Sequence, residues 1–198
     1  VFGGTGNDRL FGDGAADSMD GEDGSDILYG GAGNDALRGR AGIDVLFGEA
    51  GNDVIFAGDD NDIAQGGDNE DRVFGEGGDD SLFGQDGNDE LYGSWGSNLL
   101  DGGAGNDIMF SVSGGDTLRG GEGSDIYRIT FLDFTEVVET GTGDRDALWV
   151  PDSYSIEAMG TIEDLVYVPF YAAEAITFVG NGAANLLQSS DAYADVLL

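Results

Sequence analysis

Thirteen aspartates recur along the chain at intervals of nine or a multiple of nine: Asp8, Asp17, Asp26, Asp35, Asp44, Asp53, Asp62, Asp71, Asp80, Asp89, Asp107, Asp116 and Asp125. Only oxygen chemistry accompanies them. The sequence has no cysteine and no histidine, which excludes thiolate chemistry, histidine-based triads and the usual zinc or iron sites. A ligand set of oxygens alone suits a hard cation. Calcium accepts several oxygens flexibly, backbone carbonyls included. The balance of 40 acidic residues against 7 basic ones gives a formal charge of −33. That much like charge repels itself in the compact state, and a cation bound by the folded form offsets it. The same balance removes the basic patches that nucleic acid and anionic lipid call for. No apolar run approaches the ~20 residues of a membrane helix, so no membrane insertion is expected. Glu136 and Glu139 are the one other carboxylate pair that suggests acid–base work, and nothing near them in sequence supports it.

The aspartates belong to a unit of nine residues that repeats fourteen times without insertion from Gly3 to Arg128. A period that regular signals a solenoid. Position 1 is glycine except at Ala57 and Ser111, and position 4 is glycine except at Ala15, Asp60 and Asn69. Glycine reaches positive φ and lets another backbone approach closely, so two glycines three apart mark a recurring turn. Position 6 carries the aspartates, with Asn98 as the exception, and position 8 is apolar from Leu10 to Tyr127. Positions 7 to 9 leave room for a short strand of three residues. Its alternation points position 8 inward and positions 7 and 9 outward.

Six turn residues and three strand residues make half a coil, so residues 18 apart stack. Seven coils at ~4.8 Å make a rod of about 34 Å. One apolar side chain per half-coil is a thin core for so charged a chain. One column of turns then carries Asp8, Asp26, Asp44, Asp62, Asp80, Asn98 and Asp116, and the other carries Asp17 through Asp125. Carboxylates stacked this closely do not all stay ionised without a counter-charge. Position 9 places Phe56, Phe74, Tyr92 and Phe110 along one face and Phe11, Tyr29 and Phe47 along the other. A stacked ladder stiffening the sheet, or a surface covered by a neighbouring domain, is expected there rather than a docking stripe.

Units such as Gly30-Gly31-Ala32-Gly33-Asn34-Asp35-Ala36-Leu37-Arg38 and Gly102-Gly103-Ala104-Gly105-Asn106-Asp107-Ile108-Met109-Phe110 resemble the RTX, or hemolysin-type, calcium-binding repeat. The resemblance covers residues 3–128. It implies an all-β fold, a right-handed parallel β-roll (β-solenoid of 18 residues per coil), with calcium between successive turns. The position-6 carboxylates and glycine-turn carbonyls would be the ligands. Six gaps per column set a ceiling of about twelve ions. The exceptions at Asn98, at Ala57 to Gln65 and at Ser111 to Arg119 fall in one column, which makes the Asp17-to-Asp125 column the stronger. Family members are exported by bacterial type I secretion, so a secreted or cell-surface location and the type I machinery as partner are implied.

Residues 1–128 are thus expected to form the roll. Residues 129–198 would be a small irregular β region that caps it and begins a further degenerate roll. Ile129–Val138, Ile162–Val168 and Ala175–Val179 read as strands. Gly141–Trp149 reads as a degenerate unit out of register. Gly180–Leu187 and Ser190–Leu198 (with Asp195 at position 6) resemble the opening of another roll. The chain reads as a segment of a longer protein. The expected function is a non-catalytic calcium-binding module that folds on extracellular calcium. The alternatives are the repeat portion of a secreted protease or lipase, or of a surface adhesin. Ice binding wants a regular Thr or Asn array, and the position-5 row is broken at Glu70.

Overall fold

The computed structural model describes residues 1–113, 115–130, 135–138, 146–150, 164–167, 177–178, 186–188 and 196–197. Its described elements are all strands, and the strand pairs are parallel. Up to Ala147–Val150 successive strands alternate between two sheets. One has eleven strands, running from Phe2–Thr5 through Ser18–Asp23, Ala36–Ala41 and onward to Leu186–Gln188. The other has eight, from Arg9–Phe11 to Glu136–Val138. Beyond Ala147–Val150, Asp164–Tyr167 and Leu186–Gln188 join the first sheet, and Thr177–Phe178 pairs with Val196–Leu197. The register is 18 residues: Leu28 pairs with Leu46 and Leu46 with Ala64. The expected parallel β-solenoid is therefore what the nonapeptides build.

Position 8 forms the core. Met19, Leu28, Leu37, Leu46, Ile55 and their equivalents up to Tyr127 are fully buried. The repeat strands, however, are longer than three residues, except at Arg9–Phe11 and Glu90–Tyr92. Most run six, as in Ile27–Ala32 and Val45–Ala50, and so extend through positions 1 to 3 of the following unit. The ladder continues across this corner, with Gly31 pairing Glu49 and Ala32 pairing Ala50. The turn shrinks to positions 4 to 6. What bends the strand is a left-handed residue at position 2, seen even where it is not glycine, as at Glu22 (φ 75°), Glu49 (φ 76°) and Gln85 (φ 81°).

Parallel stacking also passes beyond Arg128. Ala147–Val150 pairs with Ile126–Ile129, and Leu148 lies against Tyr127 in a coil lengthened to 21 residues. The unit that reads as out of register thus rejoins the stack through its last residues, because three extra residues lie in the connection and the strand itself keeps its place. Strands occur within the expected segments at Glu136–Val138, Asp164–Tyr167 and Thr177–Phe178. Leu186–Gln188 and Val196–Leu197 are strands near the end. Glu139, Gly141–Arg145, Gly180–Asn185 and Asp195 lie outside the described residues.

The position-9 aromatics stack. Phe56, Phe74, Tyr92 and Phe110 form one row with ring centroids 4.9, 4.5 and 4.3 Å apart, and Phe11, Tyr29 and Phe47 form another at 5.0 Å. Arginines close both ends of the first row, Arg38 over Phe56 and Arg128 between Phe110 and Trp149. Beside them Arg40 grips Asp20 with two guanidinium hydrogen bonds, which hold that carboxyl below its ordinary range.

Candidate metal centre

Alternation along the strand explains where the aspartates go. Counting back from inward-facing position 8 in steps of two reaches position 6, and counting forward reaches position 1 of the next unit. All three face the interior. Asp44, Asp53, Asp62 and Asp107 are as inaccessible as the leucines. The sequence-derived columns therefore stack within the solenoid rather than on its surface.

From Asp26 and Asp35 onward, each carboxylate is fixed in the same way. Its Oδ1 accepts the backbone N–H of the position-6 residue one coil earlier. Asp35 N donates to Asp53 Oδ1 at 2.7 Å, Asp53 N to Asp71 Oδ1 at 2.7 Å and Asp71 N to Asp89 Oδ1 at 2.8 Å. The other column repeats this from Asp8 N to Asp26 Oδ1 (2.8 Å) up to Asn98 N to Asp116 Oδ1 (2.7 Å). The backbone carbonyl of the same residue accepts from position 7 of the next coil, as in Val54 N to Asp35 O at 2.9 Å.

Oδ2 has no such arrangement. In Asp8, Asp26, Asp35, Asp44, Asp53, Asp62, Asp71, Asp80, Asp89 and Asp107 it is buried and without a hydrogen-bond partner. A buried acceptor left unmade costs about 1–3 kcal/mol, more when charged. Such orphans are otherwise rare and call for an explanation. Burial is accordingly the first cause that lifts seven of these carboxyls above the ordinary range. It takes Asp62 and Asp71 up to about 8, Asp107 to about 7, and Asp44, Asp53, Asp80 and Asp89 to about 6. Neighbouring carboxylates add to the rise, and the backbone N–H on Oδ1 opposes it.

Glycine at position 1 keeps the space beside Oδ2 open. A Cβ on Gly30 would lie 2.6 Å from both Asp35 Oδ2 and the Gly48 carbonyl, and one on Gly48 would collide with Asp53 Oδ2 and the Gly66 carbonyl. This glycine is needed for close approach rather than for positive φ. Carbonyls at positions 2 and 4 project toward the same positions one coil on, Glu49 O toward Gly67 and Gly33 O toward Gly51. Buried carboxylate oxygens without partners, carbonyls and a cradle that a side chain would fill make up an all-oxygen set that fits calcium. Among the described residues no three carboxylates converge on one point, so carbonyls must complete any coordination shell.

The structure brings all thirteen sequence-derived aspartates into the two columns, and it adds Asp146. That residue is fully buried, and its Oδ1 accepts Asp125 N at 3.0 Å. Sequence reasoning also missed a second ladder at position 5, which runs in the opposite sense. There the earlier coil's side chain accepts from the later coil's N–H: Asn52 N to Asn34 Oδ1 at 3.2 Å, Asn106 N to Asn88 Oδ1 at 2.7 Å and Ser124 N to Asn106 Oδ1 at 2.8 Å. The recurrence of Asn and Ser at position 5 every 18 residues was the signal.

A parallel β-solenoid of nonapeptides with buried acid columns defines the class. The RTX calcium-binding nonapeptide repeat matches the chain over residues 2–37, 29–64, 65–100, 74–109 and 101–127, and the chain belongs to that family. Membership implies calcium binding. No curated protein matches the chain. Among the described residues, no helix is long and apolar enough to cross a membrane.

Proposed function

We propose that this chain is a calcium-responsive β-roll of a secreted bacterial protein. The position-6 aspartates from Asp8 to Asp125 are its ligands, with turn carbonyls completing the shell. The observation that carries this reading is the row of buried, partnerless Oδ2 atoms beside glycine cradles. Without a counter-charge each one opposes folding; calcium supplies that charge to several oxygens at once. In a low-calcium cytoplasm the chain stays expanded by its own charge, as type I export requires. In extracellular calcium the aspartates order, the N–H to Oδ1 ladder closes and the coils stack. The role is one of folding and stability rather than catalysis. Extracellular calcium modules bind with Kd on the order of 10⁻⁴–10⁻³ M, which suits such a switch.

Circular dichroism during a calcium titration tests the reading. A gain of β-signal complete by millimolar calcium and reversed by chelator is expected. A spectrum unchanged by calcium would remove the proposal.

A further inference from the structure

One step of the Asp8-to-Asp116 column is built unlike the others. Between the turn holding Asn98 and the turn holding Asp116, the chain's own donors sit on a position-6 Oδ2, the atom that is buried and partnerless in ten other units, and on turn carbonyls. Ser111 replaces the position-1 glycine, and its Oγ donates to Asp116 Oδ2 at 2.6 Å. Ser113 Oγ lies 2.9 Å from the Ser94 carbonyl and 2.7 Å from the Gly96 carbonyl, which are positions 2 and 4 of the coil below. Asn98 Nδ2 donates to Gly93 O at 3.1 Å, while its Oδ1 keeps the ladder bond from Asp80 N at 2.9 Å. Thr135 stands where the next aspartate would be. Glu136 N bonds Asp116 O at 2.8 Å, and Thr135 Oγ1 is 3.4 Å from Ser111 Oγ.

The backbone differs as well. Position 2 is left-handed in the flanking units, at Ser94 (φ 63°), Gly103 (φ 106°) and Gly121 (φ 107°), but not at Val112. A β-branched residue is a steric outlier there. The strand Ile108–Ser111 stops at four residues, where the strands before and after it in the chain, Leu99–Ala104 and Thr117–Glu122, run six.

We propose that this step is a cation-free joint. The hydroxyls of Ser111 and Ser113 and the amide of Asn98 present to the carboxylate and carbonyl oxygens the positive ends that calcium presents elsewhere, and so exclude an ion. The inference rests on the reading that the other steps take calcium. An ion entering here would have to break these bonds and would find one carboxylate instead of two. Hydrogen bonds to a charged acceptor are the stronger kind, and leaving such an acceptor unmade is costly.

Native mass spectrometry of the whole chain at saturating calcium tests it. S111A/S113A, which removes the hydroxyls without restoring the motif, is expected to bind as many ions as the wild type. N98D/S111G/V112G/S113A, which rebuilds the complete repeat, is expected to bind one more. Loss of an ion in S111A/S113A would show the hydroxyls to be ligands and overturn the joint. A rebuilt chain that folds and gains no ion would overturn it too. If the rebuilt chain does not fold, S111A/S113A still decides. A count of zero in the wild type would instead refute the calcium reading itself, and the joint with it.

Discussion

Replacing Asp53 by asparagine should change stability in opposite directions with and without calcium. Asparagine keeps the acceptor that Asp35 N uses at 2.7 Å. In place of the buried, partnerless Oδ2 it offers an amide. Asn98 shows the outcome, since its Nδ2 bonds Gly93 O at 3.1 Å, and Gly48 O is the equivalent acceptor for an amide at 53. In chelator the substitution removes an unsatisfied buried group and should stabilise the roll by about 1–3 kcal/mol. In calcium it removes a carboxylate shared between the steps to Asp35 and to Asp71. At 10 mM calcium and a Kd of ~10⁻⁴ M, each lost ion costs about 2.7 kcal/mol. Two lost ions outweigh the gain and leave a net loss of about 2–4 kcal/mol. Urea unfolding followed by circular dichroism measures both conditions. Sulfate is added to the chelated samples to hold the fold. A shift of the same sign in calcium and in chelator would refute the reasoning.

Further outcomes follow from the same geometry. The raised carboxyls, from about 6 at Asp53 to about 8 at Asp62 and Asp71, make the calcium-free fold bind more protons than the unfolded chain. Its stability should be greatest below about pH 4 and fall as pH rises through about 4 to 8, and thermal melts in chelator that rise with pH instead would contradict this. Calcium uptake between about pH 6 and 8 should release protons, which calorimetry in buffers of different ionisation enthalpy detects. Gly105→Ala puts a Cβ at φ 138° against the Gly87 carbonyl and should cost more than ~1 kcal/mol in calcium and in chelator alike, read from chemical denaturation. Phe74→Ala removes a ring stacked 4.9 and 4.5 Å from its neighbours and should cost about 1–3 kcal/mol while leaving the bound-calcium count unchanged.

The repeat made the solenoid, the 18-residue register and the two aspartate columns legible, because each depends on spacing alone. Strand length was not, since most strands pass the corner on a bend at position 2. There Glu22, Glu49 and Gln85 adopt left-handed backbone without the glycine that would announce it. The depth of the aspartates follows from the alternation that puts Leu28 and Leu46 inside, but their charge argues for a surface, and burial prevails because Oδ1 is held by a backbone N–H. Asp146 was hidden by the three extra residues in its coil. Ser111 read only as a lost glycine. That its hydroxyl reaches Asp116 Oδ2 depends on a side-chain direction that no spacing encodes.

Anomalous scattering from crystals grown in calcium addresses the calcium columns most directly. The account predicts ion peaks between successive turns in both columns, each touching the Oδ2 atoms of aspartates such as Asp35, Asp53 and Asp71. Diffraction that shows the same stacked coils with no anomalous density at those oxygens would contradict it.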